Sequence, residues 1–172
     1  LLMLDHGWNM WLAVPAMIAA GGICGLVNGL VVTWGRIPPF IVTLGSMQIF
    51  RGIALQITDG KPIYNLTKIA PHFDIWGTRN YWGIPAPVVL TAGVFLIGFL
   101  ILRYTRLGLY VYAIGGNEQA TRFSGVKIDR YKLAVYTLMG LAAGIAGVMI
   151  TSRLNSSQPN VANGAELDAI AA

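Results

Sequence analysis

The stretch RYTRLGLYVYAIGGNEQATRFSGVKIDRYK, from Arg103 to Lys132, decides how this chain folds. It is a long polar interruption between two apolar runs, and one sign of charge dominates it. Arg103, Arg106, Arg122, Lys127, Arg130 and Lys132 stand against Glu118 and Asp129. Inside it lies a punctuated helix signal. Gly115–Gly116 breaks the chain, and Asn117 is a suitable N-cap, because its side-chain oxygen can accept a free first-turn N–H. Glu118 puts negative charge at the positive helix end, and Arg122 puts positive charge near the other. Gly125 suits a left-handed stop just past the C-cap. Ala120, Phe123 and Val126 form a small apolar face. A helix of about two turns is not stable alone. The segment is therefore expected at a membrane surface, with its apolar face packed on something.

Composition fixes the surroundings. The chain is 55% hydrophobic and only 11% charged, where a soluble domain carries about 25% charged residues. Its mean hydropathy is +0.62. The expected fold is an all-α integral membrane protein with about four transmembrane helices and one short surface helix. A net charge of +5 is ordinary for such a protein and gives no reason to invoke nucleic acid. Cys24 stands alone in an apolar run, which excludes a disulfide or a cysteine metal site within the chain and leaves a buried thiol. The chain opens without Met and closes on GAELDAIAA, which reads as the start of a helix. It is expected to be a piece of a longer chain.

Four apolar runs are expected to span the bilayer as one transmembrane domain: 8–32, 40–57, 86–102 and 133–151, with a surface loop over 103–132. The first is roughly 37 Å long as a helix, against a hydrocarbon core of about 30 Å, so it must tilt or kink, with Pro15 as the candidate kink. Trp8 and Trp11 suit one interface and Trp34 the other. Gly21, Gly25 and Gly29 recur every four residues on one face. Gly140 and Gly144 repeat the spacing in the last run, with Ala143 and Gly147 beside them. Small residues so spaced let membrane helices approach closely; the blander reading is the general enrichment of glycine in such helices. Asn28 is either an interhelical hydrogen-bond partner or a ligand contact.

Gly35 to Pro39 is a tight connection. The second run is unusual in carrying Gln48, Arg51 and Gln56. Gln48 and Arg51 are three apart and share a helix face. A charge at membrane depth is costly. Either these residues line a polar pathway, or Arg51 reaches toward the nearby helix end and only orders the bundle. Asp59 to Ile84 reads as a loop whose Tyr64, Trp76, Tyr81 and Trp82 anchor the interface or dock a partner. Asn65 and Asn155 each open an Asn-x-Ser/Thr match, too short a pattern to carry weight. Lysine and arginine set the orientation. With 103–132 in the cytoplasm, four crossings put Arg36 there too, while Lys61, Lys68, Arg79 and Arg153 fall outside with both chain ends.

Several chemistries have no support. No G-x-x-x-x-G-K-[ST] occurs, and GGICGLVNG lies in an apolar run rather than between a strand and a helix. His6 and His72 lack the neighbours of a zinc site. No catalytic constellation and no cofactor site on this chain is expected, so energy for any pumping must come from another subunit. None of the seven acids lies in an expected span, which speaks against proton or ion coupling.

Several stretches resemble the permease subunits of bacterial ABC sugar importers of the ribose type. They are IPPFIVTLGSMQIFRGIALQITDG at Ile37–Gly60, GLVNGLVV at Gly25–Val32, IPAPVVL at Ile84–Leu90, the whole of Arg103–Lys132, and GAELDAIAA at Gly164–Ala172. The resemblance runs in order through nearly the whole chain, and GGNE-x-A-x-R-x-SG is its most specific part. Gln119 and Thr121 depart from it, standing where Glu or Ala is common. The resemblance implies a bacterial inner-membrane, multi-pass permease paired with a second permease subunit. It also implies two cytoplasmic ATPase subunits that hold ATP and Mg, and an external binding protein that delivers a monosaccharide. Asn117, Glu118, Gln119, Ala120, Arg122, Phe123 and Gly125 would belong to the helix that couples to the ATPase. An ion-coupled transporter or channel is the competing reading.

Overall fold

The computed structural model describes residues 10–64, 66, 73–81, 83–158, 161, 164 and 171. Expectations placed on His6, Trp8, Asn65, Lys68, His72, Trp82 and most of the closing stretch lie outside those residues, as does the Tyr81 side chain. The described chain is all-α apart from four two-residue strands. Helix α1 is Met10–Gly35, α2 Pro39–Ile57, α3 Ala86–Tyr104, α4 Arg106–Gly116, α5 Glu118–Phe123 and α6 Ile128–Leu154. A 3₁₀ turn covers Phe73–Trp76. Strand β1 (Ile63–Tyr64) pairs antiparallel with β4 (Ser156–Ser157), and β2 (Asn80–Tyr81) with β3 (Ile84–Pro85). Helices α1, α2, α3 and α6 are long and apolar enough to cross a membrane.

The boundaries follow local chemistry. Pro39 stands at the first position of α2, where its missing N–H costs nothing and its fixed φ is already helical. Arg36 takes the left-handed conformation (φ 51°) that lets α1 turn into α2 within three residues. Helix α1 runs uninterrupted through Pro15. Helix α6 starts at Ile128, five residues before the apolar run, taking in Ile128–Lys132 as a polar first turn. Helix α4 occupies a stretch expected as loop. Its first turn folds back on the end of α3, and Gly108 makes this possible, since a Cβ there would collide with the carbonyl of Leu102.

The central contact joins α1 to α6. A Cβ at Gly21 would lie 2.5 Å from the Gly140 carbonyl oxygen and 2.9 Å from the Gly144 Cα. A Cβ at Gly25 would strike the carbonyl of Tyr136, and one at Gly144 would lie 2.9 Å from the Ile18 Cα. Gly29 faces Leu133 and the Cβ of Tyr136. Backbone therefore meets backbone along about three turns, the close approach that small residues permit in lipid. Gly147 takes no part, having nothing within 4 Å, and Ala143 is exposed. Near the far end of this pair from α5, Val14, Leu66, Phe73 and Val148 form the buried cluster. The Ser152 hydroxyl donates to the Phe73 carbonyl at 2.6 Å, tying the 3₁₀ turn to the end of α6. Helices α2 and α3 bury only Val42 and Ala86 and leave most of their apolar side chains open.

The seam can be graded. Gly25→Ala pushes a methyl into backbone, so the full-length protein should lose about 1–3 kcal/mol of stability, the usual cost of overpacking. Gly22→Ala meets only the tip of the Leu141 side chain, 2.7 Å away, which can rotate. Thermal unfolding in detergent should therefore show the smaller loss for Gly22→Ala. Equal losses would mean that the backbone contact does not limit the packing.

Candidate partner-docking surface

Helix α5 has only six residues, so its ends decide whether it exists. At the start, the Asn117 side chain accepts a hydrogen bond from the Ala120 N–H at 3.0 Å. Asn117 also ends α4, its own N–H bonding the Ala113 carbonyl, so one residue joins the two helices. At the other end Gly125 is left-handed (φ 80°). Its N–H bonds the Arg122 carbonyl at 3.0 Å, and the Val126 N–H bonds the Thr121 carbonyl at 3.4 Å. This is the Schellman pair of bonds, which satisfies carbonyls that a helix end leaves free.

Two contacts fix the α4–α5 unit to its surroundings, through Lys132 and through Tyr131. The Lys132 ammonium donates to both Glu118 carboxylate oxygens at 2.8 Å, pinning α5 to the first turns of α6. Arg122 lies 3.7 Å from the same carboxylate. The Tyr110 and Tyr131 rings pack with centroids 4.6 Å apart, joining α4 to α6. Thr121 is 7% exposed, and its hydroxyl lies 2.9 Å from the Ala113 carbonyl and 2.8 Å from that of Asn117. Thr121, not the expected apolar face, is therefore the residue that turns inward. Ala120 is exposed, and Val126 is half-buried beyond the helix. Phe123 is 91% exposed, the most open large hydrophobic side chain described. Gln119 is exposed too, and it joins Glu118, Arg122 and Phe123 around an open groove of about 620 Å³. A second groove, of about 730 Å³, runs from Glu118 and Lys132 to Arg36 and Pro38 in the α1–α2 turn, so that turn and α5 share one end of the molecule.

The polar residues of the spans are not joined in this way. Asn28 is half-buried on α1, and its amide oxygen is buried with no hydrogen-bond partner among the described residues. Among the described residues no interhelical bond is made there. Gln48 is exposed on α2 and Arg51 half-buried. Measured along their helices from the turn at Arg36–Pro38, Asn28 and Gln48 lie at comparable depths, roughly 10 and 14 Å, and Arg51 deeper, at roughly 18 Å. Among the described residues no group of three or more His, Cys, Asp and Glu could hold a metal ion.

Comparison with known proteins adds the lineage. The model of the family described as "branched-chain amino acid transport system / permease component" matches residues 1–172. The chain belongs to this family. It is 44% identical over 165 residues to the ribose import permease protein RbsC of Escherichia coli K12, covering 95% of this chain and 51% of that protein. RbsC of Bacillus subtilis is 45% identical over 146 residues, covering 84% and 45%. The L-arabinose transport system permease protein AraH of Escherichia coli K12 is 41% identical over 164 residues, covering 95% and 49%. The chain thus spans about half the length of the curated relatives it matches. No solved structure matches it. The chain is an all-α, multi-pass membrane protein of a permease family.

The caps of α5 are measurable. Asn117→Ala removes a side-chain cap worth about 1 kcal/mol, and Gly125→Ala strains a left-handed residue by a comparable amount. Either change in the full-length protein should speed amide exchange at Ala120 and Thr121, and the pair should do so further. Exchange at wild-type rates in the double variant would mean that other contacts alone hold the helix.

Proposed function

We propose that this chain is part of a permease subunit of an ATP-binding-cassette importer in a bacterial inner membrane. It passes a monosaccharide of the ribose, xylose or galactose type, delivered by an external binding protein. A second permease subunit completes the pathway, and separate cytoplasmic ATPase subunits hold the ATP and Mg; this chain carries no cofactor of its own. The observation that carries the reading is Phe123, exposed on a helix capped at both ends and fixed to α4 and α6. Such an element can receive a push from a soluble partner and pass it to the spans. The names of the relatives, ribose and L-arabinose permeases, support a sugar as cargo. Asn28, Gln48 and Arg51 are the polar residues that would face the pathway, with Arg51 alternatively ordering the bundle.

Ion coupling gains no observation of its own. Among the described acids, Asp59 follows α2, Asp74 lies in the 3₁₀ turn, Glu118 in α5 and Asp129 in the first turn of α6. None sits in the middle of a span, where a coupling carboxylate would be needed.

The test is Phe123→Ala in the full-length permease. The ring is solvent-exposed, so its loss should not disturb folding. A buried aromatic anchor typically contributes 2 kcal/mol or more to such a contact, so the ATPase should bind roughly thirtyfold more weakly. Uptake into proteoliposomes should fall with it, while sugar binding by the isolated external protein stays unchanged. Retention of both the ATPase and wild-type uptake would remove α5 from the coupling route.

A further inference from the structure

Beside α5 a further groove of about 550 Å³, sharing Thr33, Trp34, Arg122 and Asp129 with the 730 Å³ groove, opens between the end of α1 and the start of α6. Its floor is apolar, made of Leu30, Ile128 and Leu133, and its rim carries Arg122, Lys127 and Arg130 against Asp129. We propose that this groove binds an anionic phospholipid of the surrounding bilayer, with the headgroup phosphate between Lys127 and Arg130 and an acyl chain over Leu30 and Leu133.

Charge is the first argument. Arg122 already shares Glu118 with Lys132. The side chains of Lys127 and Arg130 make no ion pair or hydrogen bond among the described residues. Two unpaired cations therefore flank a single acid, and a phosphate between them has a net attraction. Position is the second argument. Trp34 lines the same groove and is 79% exposed. An exposed tryptophan at the end of an apolar helix marks the headgroup level. Leu30 lies four residues, about 6 Å, further along α1 toward the hydrocarbon. The gradient from cationic rim to apolar floor runs in the direction a phospholipid presents. Basic pockets between membrane helices at this level recognise lipid headgroups, and a free anion would use only the rim. The site requires only that the chain be embedded in a bilayer, and so does not depend on the importer reading.

Native mass spectrometry of the full-length permease, taken from nanodiscs of mixed phosphatidylcholine and phosphatidylglycerol, counts the phosphatidylglycerol retained. The pair Lys127→Gln and Arg130→Gln should lower retention roughly thirtyfold. The pair Arg103→Gln and Arg106→Gln removes the same charge near the same surface and should retain the lipid. Swapping the two cations, Lys127→Arg with Arg130→Lys, should retain it as well. In parallel, added phosphatidylglycerol should raise the melting temperature of the wild type but not of the Lys127→Gln, Arg130→Gln protein. Equal losses in both charge-removed pairs would reduce the effect to diffuse attraction and overturn the site. Unchanged retention in the first pair would overturn it too. Glycerol 3-phosphate, which has the headgroup charge without acyl chains, should not displace the lipid. If it does so at millimolar concentration, the occupant is a soluble anion and the lipid assignment fails.

Discussion

The close approach of α1 to α6 is the constraint on which the rest of the structure depends. In a bilayer the lipid tails are as apolar as leucine, so two helices gain little by hiding apolar surface from each other. What remains is packing at short range, and that needs backbones near enough to touch. Gly21 and Gly25 meet Gly140 and Gly144 at such distances that no other side chain fits. The resulting pair is long, with 26 and 27 residues, or roughly 40 Å per helix. It therefore reaches both surfaces. At one end it carries the Phe73–Ser152 tie and the β1–β4 pairing. At the other it presents Lys132 and Tyr131 to α4 and α5, and places the α1–α2 turn beside them.

Helix α5 shows how small terms combine. A partly exposed ion pair such as Glu118–Lys132 contributes about 0–1 kcal/mol, an Asn cap about 1 kcal/mol, and a single hydrogen bond such as that of Thr121 a similar amount. None would hold six residues helical alone, given the cost of nucleation. Together they fix both ends and one face. The face left over is the one carrying Ala120 and Phe123. The helix is thus held without the ring being spent on internal packing.

The parts of this arrangement that were legible in the sequence are those set locally. Asn117 and Gly125 announce caps through their own chemistry, and both take that geometry. The four-residue glycine spacing announces a seam, and α6 is the helix that fills it. Helix α4 was not legible. RLGLYVYAIGG is rich in β-branched, aromatic and glycine residues, which favour helix weakly, and its helix is held by tertiary contacts at Gly108 and Tyr110. Thr121 was missed for a related reason. A threonine on a polar surface segment gives no sign of burial, and its partner is a carbonyl at the end of a helix that was itself unforeseen. For Asn28, spacing gave the element and the depth but not the partner. The orphaned amide oxygen is a feature only coordinates can reveal.

The four long helices are unequally anchored, and α5 is linked to both kinds. Through Lys132 it is tied to α6, which is locked to α1 along the glycine seam. Through Asn117 and α4 it leads to the end of α3, at the Gly108–Leu102 contact. Among the described residues helix α3 buries only Ala86, and its main contacts besides α4 are with short elements, β3 and the 3₁₀ turn. A displacement of α5 along the first route meets close-packed backbone, which yields little. Along the second it meets a helix with few opposing contacts in this chain. If α5 were displaced, the route through α4 to α3 would meet looser packing than the α1–α6 pair, with the Tyr110–Tyr131 contact holding α4 itself to α6. This division follows from where the glycines lie. Gly21 and Gly25 of α1 and Gly140 and Gly144 of α6 lie against backbone, whereas Gly93 and Gly98 of α3 have nothing within 4 Å.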